Sequence, residues 1–125
     1  MTALVDTSVL VDYLRGSQEA AALLERERQV APLHASEITR LEVIAGMRTR
    51  EEQATRSLLS ALRWHPADAD VAEKAGELGR AWLPSHGGID GADLAIAATA
   101  LLLDAQLLTR NTRHFPMLAG LQPAY

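Results

Sequence analysis

The ten residues Leu94-Ala95-Ile96-Ala97-Ala98-Thr99-Ala100-Leu101-Leu102-Leu103 are apolar on nearly every face of a helix. A surface helix keeps one polar face, so this one must be buried against several neighbours, and the rest of the chain must build layers around it. Short runs of strand length are available for that. Ala3-Leu4-Val5, Val30 to Ala35 (carrying Pro32), Arg63 to the proline at 66, and Ala105 to Thr109 read as strands. Strands alternating with helices predict an α/β fold with a mainly parallel sheet, whose ligands bind outside the carboxyl ends of the strands.

The intervening segments carry helical periodicity and caps. Asp6-Thr7-Ser8 opens a helix through Val9, Leu10, Tyr13 and Leu14, broken at Gly16-Ser17. Glu19 to Gln29 follows, with Ala20, Ala22 and Leu23 inward and a solvated Glu25-Arg26-Glu27-Arg28 face. Ser36 caps a helix with an apolar stripe of Ile38, Leu41, Ile44 and Ala45, ending at Gly46. Glu51 to Leu62 buries Ala54, Leu58, Leu59 and Leu62, and Asp68 caps a helix through Val71, Ala75, Leu78 and Trp82. Pro84-Ser85-His86-Gly87-Gly88 is the strongest loop signal, Arg110 to His114 is the exit loop of the last strand, and Leu118 to Leu121 is a closing turn or edge segment.

At 125 residues, 48% hydrophobic and 22% charged, the chain fits one globular domain spanning 1–125. There is no cysteine, so disulfides, thiolate metal sites and cysteine nucleophiles are excluded. No apolar run approaches the ~20 residues that span a bilayer, and Asp6 interrupts any signal-peptide core, so a cytoplasmic protein without a membrane partner is expected. The net charge of −4 argues against bulk binding of a polyanion, unless divalent cations offset the acids where the polyanion docks. Arginine dominates the bases, Lys74 being the one lysine, and its planar fork suits phosphate, although a GC-rich genome gives the same bias.

Four acids fall where the ligand end of such a sheet would be. Taken singly, Asp6 reads first as an N-cap, and Asp90 as the cap of a helix with Asp93 in its first turn. Glu42 is harder to explain structurally, because Leu41 and Val43-Ile44-Ala45 surround it, although Arg40 or Arg48 could draw it to the surface. Together the acids pose a sharper problem: two carboxylates ~5 Å apart at an effective dielectric of ~20 repel by about 3 kcal/mol. Oxygen donors without cysteine, and four histidines lacking ligand spacing, favour Mg²⁺ or Mn²⁺ over Zn²⁺, and such sites serve phosphodiester chemistry. Other first-strand Asp chemistries lack their partners. A dehalogenase-like phosphatase needs a second Asp where Ser8 stands, a receiver domain needs a Lys where Arg110 stands, and no G-x-S-x-G supports a serine nucleophile.

Four segments carry a family resemblance: Val5-Asp6-Thr7-Ser8-Val9-Leu10, Glu42 within Ile38 to Gly46, Asp93-Leu94-Ala95-Ile96-Ala97-Ala98, and Leu108-Thr109-Arg110-Asn111-Thr112-Arg113-His114-Phe115. In this order and spacing the chain resembles, over essentially its whole length, the PIN-domain ribonucleases of the VapC toxin type. The resemblance implies a PIN-like α/β/α sandwich around a mainly parallel sheet. It also implies Mg²⁺- or Mn²⁺-dependent endonucleolytic cleavage of structured RNA, a tRNA or ribosomal RNA, using one or two ions. Asp6, Glu42 and Asp93 match the family's first three acidic ligands. Asn111 stands where many members carry Asp and offers a neutral oxygen, and Asp90 could supply the missing charge as a supporting ligand. Thr7 or Ser8 would orient a water or phosphate, and Arg110 and Arg113 would contact RNA, in a stretch from Ala105 onward that contains no acid. The implied partners are a VapB-type antitoxin lying partly over the active site and a second copy in a homodimer, giving a heterotetramer or larger assembly. Helices from Glu19 to Leu62 are the candidate docking surfaces. The competing reading is a catalytically weak PIN domain, short of one acid at Asn111, that binds RNA or a partner without cutting.

Overall fold

The structure is a computed structural model describing residues 1–125. In chain order the elements are β1 (Ala3–Val5), α1 (Thr7–Leu14), α2 (Gln18–Val30), β2 (Leu33–Ser36), α3 (Glu37–Ala45), α4 (Glu52–Ser60), β3 (Arg63–His65), α5 (Ala69–Trp82), α6 (Gly91–Leu103) and β4 (Gln106–Leu108). Single 3₁₀ turns precede α4 at Thr49–Glu51 and follow β4 at Thr112–His114. The sheet runs β3-β2-β1-β4 with every neighbouring pair parallel, so each strand is regained through a helical crossover. Leu4 pairs with His34 on one side and Leu107 on the other, which puts the exits of β1 and β4 at one level, where Asp6 N–H extends the ladder to Leu108 O at 2.9 Å.

Alternation along these short strands divides the core. Ala3, Val5, Leu33, Ala35 and Leu108 face a layer from α1, α2 and α4, where Val9, Leu10, Leu23 and Leu59 pack. Leu4 and Leu107 face the opposite layer, with Ile96, Ala97 and Ala100 of α6 beside Phe115 and Met117. Helices therefore cover both faces, the α/β/α sandwich expected. The all-round apolar helix is α6, pressed between sheet and α5 and buried without interruption except at Ala95 from Leu94 to Ala100. Its last turn emerges, with Leu101 41% and Leu102 50% exposed. No helix is long and apolar enough to cross a membrane.

Several expectations need correction. Val30 ends α2 and is exposed, and β2 starts only at Leu33, because Pro32 has no N–H for the ladder and restricts the residue before it. In α2 Leu24 is buried and Ala22 is exposed, since the helix rolls its larger side chain onto the sheet. In α3 the inward residues are Thr39 and Val43, four apart, while Leu41 is 62% exposed and Ala45 is exposed too. Hydrogen bonds that link the Thr7 hydroxyl to Thr39 Oγ1 and to Glu42 accompany that rotation. In α4 Thr55 and Leu59 are buried and Ala54 is exposed.

Candidate active site

The exits of β1 and β4 and the starts of α3 and α6 meet at the carboxyl end of the sheet, and each contributes a polar side chain. Asp6 follows β1 and is 5% exposed. It occupies the N-cap position of α1, but its side chain makes no cap bond, so reading it first as a helix cap is wrong. Instead Asp6 Oδ2 accepts from Ser8 Oγ at 2.8 Å and from Thr109 Oγ1 at 2.7 Å. Both bonds fall on one oxygen, which leaves Oδ1 for a ligand.

Glu42 enters from the second turn of α3. Its Oε1 lies 2.7 Å from the Thr7 hydroxyl, which also stands 3.0 Å from Thr39 Oγ1. The single Thr7 proton is better placed on the charged acceptor. The hydroxyls of Thr7 and Ser8 are thus occupied in holding Glu42 and Asp6, a different task from the orientation of water or phosphate expected of them.

Asp90 and Asp93 form a reciprocal cap on α6. Asp90 Oδ1 accepts from the Asp93 N–H at 2.9 Å, and Asp93 Oδ2 accepts from the Asp90 N–H at 3.2 Å. Asp90 is exposed and Asp93 only 14% exposed at its side chain. Burial pushes the Asp93 carboxyl up to about 6; the Asp90 N–H and His114 pull it down, while the charges of Asp90 and Asp6 push it further up. Asp6 and Asp93 are therefore close enough to feel one another. His114 Nδ1 stands 3.4 Å from Asp93 Oδ2.

Asn111 donates its backbone N–H to Thr109 Oγ1 at 3.0 Å, so Thr109 links the β4 exit to Asp6. Arg110 stands with Nε 3.0 Å from Asp12 Oδ2, and Arg113 is exposed without an ion pair. Thr109, Thr39 and His114 are the residues to which the sequence alone assigned no role at the acids. For His114 the only available signal was its position in the basic exit loop; Thr39 carried none.

No three carboxylate or imidazole groups converge closely enough to enclose an ion, and the acids stand as an open group at the carboxyl end of the sheet. Its donor chemistry nevertheless fits a hard divalent cation: Asp6 and Glu42 each present an oxygen free of protein bonds, and Asp93 bears the unfavourable burial and like-charge repulsion that a cation would relieve. The PIN domain family model matches residues 3–121. The chain belongs to the PIN domain family. Within it, this PIN domain is 46% identical over 123 residues to Ribonuclease VapC19 of Mycobacterium tuberculosis, covering 98% of both chains. It is 41% identical over 122 residues to Ribonuclease VapC10 of the same organism, covering 98% of this chain and 92% of that one. Among solved structures, a toxin-antitoxin complex from Klebsiella pneumoniae contains a chain 33% identical, with TM-score 0.82 over 99% of this PIN domain and 98% of that chain. FitAcB from Neisseria gonorrhoeae aligns at 28% identity and TM-score 0.70, covering 91% of each chain. The chain is thus a PIN domain of the VapC type.

Proposed function

We propose that the protein, as one PIN domain over 1–125, is the toxin of a type II toxin-antitoxin pair and an Mg²⁺- or Mn²⁺-dependent endoribonuclease that hydrolyses phosphodiester bonds in structured RNA, a tRNA or ribosomal RNA, in the cytoplasm. The observation that carries this reading is the anchoring of acids from three separate segments at one end of the sheet by neutral donors: Asp6 by the hydroxyls of Ser8 and Thr109, Glu42 by that of Thr7, and Asp93 by the Asp90 N–H. Structural carboxylates would find cationic partners; these are held apart from every arginine and lysine side chain.

Asp6, Glu42 and Asp93 would hold the cation, with Asp90 and Asn111 as supplementary oxygen donors. When bound, the ion would make the attacking water more acidic and offset charge on the phosphate. The chain's own contribution is preorganisation. Ser8 and Thr109 fix the Asp6 carboxylate, Thr7 fixes Glu42, and the Asp90 N–H holds Asp93, so little reorientation is needed when RNA arrives. Arg110 and Arg113 at the β4 exit would take the flanking phosphates.

Relatives of known structure include a toxin-antitoxin complex from Klebsiella pneumoniae and VapBC-1 from nontypeable Haemophilus influenzae, which supports a VapB-type antitoxin as partner, and a toxin homodimer within a heterotetramer or larger assembly is the arrangement proposed with it. A groove of about 870 Å³ between α2 and α4, lined by Leu24, Val30, Ala54, Leu58 and Leu62, suits an apolar face of that antitoxin. Total cellular RNA incubated with partner-free protein in Mg²⁺, Mn²⁺ or chelator, followed by sequencing of new 5′ ends, tests the reading. Discrete cuts that vanish in chelator are expected. Folded protein that cuts nothing in either metal would instead favour a binding module, a reading that Asn111 in place of a fourth acid supports, and Asn111→Asp would be the first reversion to try.

A further inference from the structure

Arg110, at the edge of the acidic site, is held at both its backbone and its side chain. Its backbone N–H points at Ser8 Oγ, 3.4 Å away, and its side-chain Nε stands 3.0 Å from Asp12 Oδ2. Ser8 and Asp12 are four residues apart on α1 and share one face of it, so Arg110 is strapped along that face from the site outward. The same Asp12 oxygen accepts the Tyr125 hydroxyl at 2.5 Å. Tyr125 in turn packs against the core beside Ala124, whose N–H donates to Thr109 O at 2.8 Å.

An isolated surface ion pair fixes little, because two mobile side chains must be ordered for a screened attraction. Here a core-packed tyrosine orders the carboxylate independently of the arginine. Asp12 is only 23% exposed while Arg110 remains 54% exposed, so the guanidinium is anchored on its inner side and open on its outer one. Neither Nη makes a hydrogen bond within the protein, which leaves the fork available for a bidentate anion.

We propose that Asp12 and Tyr125 are positioning residues that hold the Arg110 guanidinium at the edge of the acidic site to receive a backbone phosphate of RNA flanking the bond that is cut. This rests on the nuclease reading above. Ordering the arginine before RNA arrives removes part of the entropy cost of binding, so the effect falls on affinity and leaves the chemical step alone.

The test is a double-mutant cycle of Tyr125→Phe and Arg110→Ala in the full chain, with bulk tRNA as substrate and, fluorescently labelled, as binding probe. Tyr125→Phe keeps the ring on the core and is expected to raise KM and Kd about three- to tenfold with kcat within about twofold. In the Arg110→Ala background it should add nothing, and Asp12→Asn should behave like Tyr125→Phe. A second readout needs no RNA: the Arg110 Nε–H signal in NMR should shift toward that of an unpaired guanidinium in Tyr125→Phe, as Asp12 loses its fixed place beside Nε. Unchanged KM and Kd, effects that add in full to those of Arg110→Ala, or an unmoved Nε–H signal each overturn the proposal. A wild type that neither cuts nor binds tRNA overturns the nuclease reading, and the assigned ligand with it; cutting that is indifferent to Tyr125→Phe overturns the positioning role alone.

Discussion

The Thr109 hydroxyl donates to Asp6 Oδ2 at 2.7 Å across 103 residues of chain, and both residues are buried. Through this bond the β4 exit aims the first acid of the site, while the same hydroxyl oxygen accepts the Asn111 N–H. Replacing Thr109 by valine keeps the shape and removes both bonds. Chemical denaturation should show a loss of about 1–3 kcal/mol, because a buried carboxylate oxygen and a backbone N–H lose partners. Cleavage should fall by more than the loss of folded protein explains; unchanged activity would mean that Asp6 needs no such aiming.

Asp93 makes the protein free of bound ion less stable at neutral pH than it would be with a neutral side chain. Its carboxyl titrates near 6 in the folded protein against an ordinary value of 3.8, so the folded state holds the extra proton between those values. This group's contribution to stability is greatest below about 4, falls as pH rises to about 6, and is flat above. Asp93→Asn, which can still accept the Asp90 N–H, should therefore gain about 1 kcal/mol at pH 7.5 after allowance for solvent screening, and the gain should vanish toward pH 4. Thermal melts of both proteins across this range check it. Added Mg²⁺ should raise the wild-type Tm and leave the variant's nearly unmoved.

A second pH effect has the opposite sign. His34 Nδ1 and His65 Nε2 are 2.7 Å apart on neighbouring strands, and burial, then the nearby His65 and Arg63, hold the His34 imidazole below its ordinary value of 6.5. The unfolded chain takes its proton first on acidification, so this pair's stabilisation is present above about 6.5 and is lost as pH falls below it. His34→Gln should flatten that part of the wild-type stability profile between pH 7 and 5. Parallel profiles would show that the pair carries no linked proton.

Phe115 is 1% exposed and pins the segment after β4 onto α6. Phe115→Ala should cost about 3–5 kcal/mol. Because Asn111 and His114 sit on the 3₁₀ turn that this ring anchors, activity should fall further than the folded fraction in the same denaturation and cleavage experiments.

The layer order was legible in the sequence because the apolar run from Leu94 calls for a buried helix, which α6 is as far as Ala100 although Leu101 and Leu102 emerge, and the strands between periodic segments leave few alternatives. Of the candidate acids only Glu42 resisted a structural explanation taken singly; Asp6 and Asp93 read as residues of helix starts, and it was the order and spacing of the family's segments that drew the three together. The rotation of α3 was not legible: Ile38, Leu41, Ile44 and Ala45 make a sound stripe, but in the fold Thr7 is linked to Thr39 and Glu42 and Leu41 faces outward. Such side-chain pairing across tens of residues leaves no local periodicity. The meeting of Asp12, Arg110 and Tyr125 was hidden for the same reason: Arg110 stood out only as part of a basic stretch, and nothing in the sequence joins it to Asp12 or Tyr125.

The central claim is that the Asp6, Glu42 and Asp93 site cuts RNA. Single-turnover cleavage of total RNA by wild type, Asp6→Asn and Asp93→Asn in Mg²⁺, with folding checked by circular dichroism, tests it most directly. Discrete wild-type cuts reduced at least about 100-fold in both folded variants are the predicted result. Wild-type rates in either folded variant would contradict the account.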